Sequence, residues 1–136
     1  GKQITQLFDK ILETKDKNLL MMRSNINKSD VIGKEFHFGA NRRKKQIFAK
    51  ILLSRDTPKL EKDKQYFKNQ KDRLREVRLL PAELAVASDI FIFDNAICII
   101  SPKDKMGFSI INQDFTDLMK NIFNMLWVVS KPTFNI

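Results

Sequence analysis

Apolar residues at positions 4, 7, 8, 11 and 12 (Ile4, Leu7, Phe8, Ile11, Leu12) recur at helical spacing, so residues 4–14 read as an amphipathic helix. Asn18 breaks the pattern, and Leu19-Leu20-Met21-Met22 is short and apolar throughout, as a buried strand would be. Arg23-Ser24-Asn25 follows at its end. Ser29-Asp30 offers an N-cap for a second helix with Val31 and Ile32 on its apolar side, weakened by Gly33 and Gly39. Ile47 to Leu53 is the next strand, closed by Ser54-Arg55-Asp56. Thr57-Pro58 reads as N-cap and first residue of a charged surface helix from Lys59 to about Arg73. Leu60, Tyr66, Phe67 and Leu74 are its few apolar anchors. Glu76 to Leu80 is a strand, ended by Pro81.

The last third is the clearest pattern. Asp89 to Phe93 and Ala96 to Ile100 are β-rich runs joined by Asp94-Asn95, two residues that tolerate positive φ and so favour a hairpin. Gly107 to Ile111 is a further strand. From Asn112 to Ser130 comes a helix too apolar for one stripe, so it needs cover on several sides, from neighbouring helices or from a second subunit. Helices and strands alternate at the start, and strands run consecutively at the end. The fold class expected is therefore α/β, one mixed sheet flanked by helices, with parallel pairing early and antiparallel additions late.

The 136 residues fit one domain over 1–136, and 43% hydrophobic residues with eleven Phe provide a core. No apolar run reaches the roughly 18 residues of a membrane helix, and no signal-peptide pattern opens the chain. The sequence begins Gly1-Lys2 rather than with Met, which suggests a segment of a longer protein. Cys98 is the sole cysteine, flanked by Ile97 and Ile99. It reads as a small core hydrophobe, and a cytoplasmic location follows as an expectation.

Charge changes the picture. The net charge is +9. Residues 34–78 hold fifteen Lys/Arg against six Asp/Glu, and residues 83–136 hold four against six. The basic middle suggests an anionic partner, or else simply a soluble lysine-rich surface.

Catalytic patterns are sparse. His37 is the single histidine, no Cys/His/Asp/Glu cluster has metal spacing, and Gly33, Gly39 and Gly107 are isolated from any phosphate loop. Asp114 and Asp117 stand one helical turn apart, where the helix dipole alone favours acids. No catalytic residue, metal or cofactor is expected. Arg23-Ser24 and Ser54-Arg55 close parallel strands, and ligands of open α/β sheets bind outside those ends. Arg75 and Arg78 flank a third strand. Arg23, Ser24, Arg55 and Arg78 are thus the candidate ligand-binding set, through the planar donor fork of arginine. The alternative is ordinary strand-end residues, or internal ion pairs with Asp56 and Glu76. The run Arg42-Arg43-Lys44-Lys45 reads as a solvated helix end or a short nucleic-acid patch.

With these elements placed, the chain resembles the C-terminal effector domain of TrmB-type transcriptional regulators. The matching segments are Asn41 to Ile47, Leu74 to Pro81, Ile90 to Ile100, and Asn112 to Trp127. The resemblance implies a phospholipase D-like sandwich without catalysis, following an N-terminal winged helix that reads DNA. The hydrolase motif of that fold, His-x-Lys, is absent, since His37 is followed by Phe38-Gly39. The expectation is a ligand-sensing and dimerisation domain: a homodimer, a small anionic or sugar-like effector, DNA contacted through another domain, and no membrane. The alternatives are a divergent phosphodiesterase-like enzyme and a basic nucleic-acid-binding domain.

Overall fold

The structure is a computed structural model that describes residues 2–24, 32–55 and 67–133. Its elements are α1 (Lys2–Leu12), β1 (Asn18–Arg23), α2 (Ile32–Lys44), β2 (Phe48–Leu53), β3 (Arg75–Leu79), β4 (Asp89–Phe93), β5 (Ala96–Ser101), β6 (Met106–Ile111), α3 (Gln113–Val129) and β7 (Lys131–Pro132). The Ser29-Asp30 cap, Asp56, the Thr57-Pro58 cap and residues 59–66 lie outside the described residues.

The seven strands form one sheet in the order β6-β5-β4-β1-β2-β3-β7. β1, β2 and β3 are parallel in register, Arg23 beside Leu53 and Leu53 beside Leu79. β4 and β5 make the expected hairpin, with Asp94 at φ 50°. The α/β mixed-sheet expectation therefore holds. Two details differ. Residues 68–74 are turns rather than the end of a charged helix, because Asn69 and Leu74 take φ 56° and 51°, which no right-handed helix accommodates. The two-residue strand β7 carries no hydrophobic signal of its own. It pairs antiparallel with β3, and the buried Thr133 hydroxyl donates to the Val77 carbonyl at 2.6 Å.

The sheet has two unequal faces. One packs under α1 and α2, with Ile4, Phe8, Ile11, Phe38, Met21, Ile51, Val77, Phe91 and Cys98 in a single core. Phe8, Phe38 and Phe91 meet with ring centres 5.0–6.2 Å apart, a close-packed aromatic trio. Here α1 crosses β6 so tightly that a Cβ on Gly107 would lie 2.7 Å from Leu7 Cδ1 and 2.8 Å from the Ile99 carbonyl oxygen. The other face packs Leu52, Leu80, Ile92 and Ile97 against Phe123 and Trp127 of α3. Asn112 caps α3, its side chain accepting from the Phe115 N–H at 2.8 Å.

Candidate functional site

At the carboxyl edge of the parallel strands, β1 ends in Arg23-Ser24 and β2 in Ser54-Arg55. The Ser54 N–H donates to the Arg23 carbonyl at 3.1 Å, which ties the two strand ends together. Because β4 runs antiparallel to β1, its first residue, Asp89, arrives at the same edge. Asp89 is buried, and its Oδ1 accepts from the Ser24 N–H at 2.8 Å and from the Ser24 hydroxyl at 3.1 Å. The Arg23 Nε lies 3.4 Å from the same oxygen. The Arg23 guanidinium also sits 5.6 Å from the centre of the Phe91 ring. Burying that carboxylate is tolerable only because a cation and two donors surround it.

The structure thus brings Arg23, Ser24 and Arg55 to one edge, with Ser24 buried and Arg55 exposed. It does not bring Arg78 to them. In-register pairing puts Arg23 on the face of Leu53 and Leu79, whereas Arg78 pairs with Leu52 on the α3 face. Arg78 instead donates from Nη1 to the Trp127 carbonyl at 2.7 Å and lies over the Trp127 ring. Its place in the expected ligand set is therefore corrected: strand alternation turns it to the opposite side of the sheet. Asp89 was missed, although a lone acid opening an otherwise apolar strand is the mark of a buried ion pair.

The basic run also divides. Arg42 is buried and donates to three carbonyl oxygens, those of Ile47, Leu74 and Arg73, at 2.7, 2.8 and 2.7 Å. Lys44 and Lys45 are exposed. Arg42 is thus an internal clamp between the end of α2 and the entries of β2 and β3, not part of a solvated patch. Arg75 donates to the Gln70 side chain at 3.0 Å. Among the described residues, no three His, Cys, Asp or Glu side chains group closely enough to hold a metal ion. No described helix is long and apolar enough to cross a membrane.

The architecture is that of the phospholipase D fold. A phospholipase D family member, Nuc from Salmonella typhimurium, superposes with a TM-score of 0.64 at 12% identity, over 93% of this chain and 88% of that one. TrmBL2, an archaeal chromatin protein whose structure shows a novel mode of DNA binding, superposes with a TM-score of 0.63 at 14% identity. That match covers 96% of this chain and 50% of TrmBL2, so the chain spans about half of TrmBL2's length. No protein-family model and no curated protein matches the sequence.

Proposed function

We propose that this chain is the ligand-sensing and dimerisation module of a DNA-binding transcriptional regulator, and that it does no catalysis of its own. The observation that carries the reading is the superposition of 96% of this chain on 50% of TrmBL2, a DNA-binding chromatin protein; in this reading the contacts to DNA are made by a further domain. The lack of a His-x-Lys motif supports a binding role over a hydrolytic one.

The effector in this reading is a small anionic or polyhydroxylated molecule at the carboxyl edge of β1 and β2. Arg55 meets it first, being exposed. Arg23 then divides its guanidinium between Asp89 and the ligand, since both offer oxygen acceptors to the same fork of donors. Ser24 and the start of β4 shift with Asp89, and the ligand biases an existing equilibrium between arrangements of two copies.

The test is a thermal-shift screen of sugars, sugar phosphates and nucleotides, repeated with Arg23→Met and Arg55→Met. A ligand that raises the melting point of the wild type and of neither variant supports the site. One that acts equally on all three places binding elsewhere. A salt-dependent gel shift by this chain alone would favour direct nucleic-acid binding instead, because phosphate contacts weaken steeply with salt.

A further inference from the structure

Helix α3 carries a second apolar surface that the sheet does not use. Its sheet-facing side is Thr116, Phe123 and Trp127, all buried. Its polar side is Asp114, Asp117, Asn121 and Asn124, all exposed, and ends one turn later in the exposed Val128. Between them run Phe115, Leu118, Ile122, Met125 and Val129, at successive spacings of three, four, three and four residues. All five are exposed, Leu118 by 52%, Met125 by 73% and Val129 by 65%. That spacing is the a/d seam by which one helix packs along another.

The floor beside the seam is apolar too. Lys120 and Trp127 project from the other flank, reaching the Asp94 carbonyl at 2.7 Å and the cations of β2 and β3. The seam therefore looks toward β5 and β6. There Phe108 pairs with Ile99, which packs on the α3-side core, so Phe108 shares that face. It is 50% exposed, and Met106 is exposed beside it. Among the described residues this face has one helix where the opposite face has two. A standard interface takes roughly 800 Å² from each partner, and these seven exposed side chains are the apolar surface it would bury here.

We infer that the occupant is a second copy of this chain, its α3 laid along the first in a two-fold arrangement. The inference rests on the proposed pairing of two copies and locates it. Three features favour self-association over a foreign partner. A 3-4 seam is complementary to itself. Two bodies of net charge +9 repel least where charge is lowest, and α3 carries only Asp114, Asp117 and Lys120. Among the described residues each copy also has one helix fewer on this face than on the other, and its partner's α3 would supply one. Antiparallel crossing sets the two helix dipoles in opposition and keeps the Asp114 and Asp117 pairs apart, so it is the orientation we assign.

Sedimentation of this chain at tens of micromolar should show a dimer. Met125→Glu and Leu118→Glu should each weaken self-association at least ~30-fold, as for loss of a central interface anchor. Their melting points at low concentration should match the wild type, since both side chains are already exposed. In a Cys98→Ser background, Ile122→Cys should form a disulfide-linked dimer on mild oxidation, and Asn124→Cys on the polar flank should not. A monomeric wild type would overturn both the pairing and this surface. A dimer that survives both glutamates, or that cross-links through Asn124→Cys instead, would leave the pairing standing and overturn the surface. Effector binding is read separately and bears on neither outcome.

Discussion

The guanidinium of Arg78 lies 4.6 Å from the centre of the Trp127 ring and donates a 2.7 Å hydrogen bond to the Trp127 carbonyl oxygen. Helix α3 has no basic residue in its own last turn. The cation that suits the negative end of its dipole comes from β3 instead. Lys50 of β2 stands 5.4 Å from the same ring, and Phe123 stacks on it at 5.9 Å. Trp127 is thus where the sheet grips the helix.

Truncating Trp127 to Ala should cost about 3–5 kcal/mol of stability, the usual range for a large buried aromatic. A double-mutant cycle of Arg78→Met with Trp127→Phe, read by urea denaturation, should show a favourable coupling of about 1 kcal/mol. Strict additivity would mean that the ring and the guanidinium pack without attracting each other.

Arg42 should be among the least replaceable residues of the basic middle. Its three carbonyl bonds include one to Leu74, whose φ of 51° is costly for a branched residue. Arg42→Met would leave buried carbonyl oxygens short of a donor, at a cost of about 3 kcal/mol or more. Arg42→Lys should recover little of it, since one ammonium cannot span the same fork. Lys45→Met, at an exposed position, should change stability by less than ~0.5 kcal/mol.

Acid should weaken the amino-terminal edge of the sheet. Burial alone would raise the Asp94 carboxyl, but the N–H groups of Lys15 and Asp16 and the Thr14 hydroxyl outweigh it and hold it below its ordinary 3.8. A carboxyl depressed on folding stabilises fully above its unfolded value, and that stabilisation is lost as the pH falls through the lower, folded one. The stability gap between wild type and Asp94→Asn should therefore be widest near neutral pH and shrink on acidification below 3.8. A gap that stays constant from pH 7 to pH 2 would assign the loop's stability to other contacts.

The thiol of Cys98 should be inert in the native protein. Burial pushes its pKa up to about 11, against a smaller opposing pull from Lys10. A chromogenic disulfide reagent at pH 8 should react only at the rate of unfolding, and in full once urea is added.

Much of the fold is legible in the sequence because each strand carries its own local signature. The hairpin Asp89 to Ile100 is readable from two apolar runs and an Asp-Asn link, and α3 from the long apolar run between Asn112 and Ser130. What is not legible depends on partners distant along the chain. Lys131-Pro132 looks like a tail and becomes a strand because β3 has a free edge. Arg42 looks like one of four surface cations until Leu74 and Arg73 arrive beneath it. For the candidate site, Arg23 and Ser24 are placed by their strand, but Asp89 reaches them from 65 residues away. Arg78 reads as a strand-end arginine like Arg23, but the parity of its position, paired with Leu52, turns it to the opposite face.

Gly107 has a consequence for how this fold could be found in other genomes. No side chain fits there without displacing the backbone carbonyl of Ile99 on β5 as well as the Leu7 side chain of α1, so an edge strand, its neighbour and a helix a hundred residues earlier meet at a missing atom. A chain of this fold can drift at nearly every polar position yet still be held to glycine here, because shortening Leu7 would relieve one contact and leave the backbone one. A glycine at this place in the sheet is therefore a sharper mark of the fold than overall identity, which is 12–14% in the superpositions while the architecture persists.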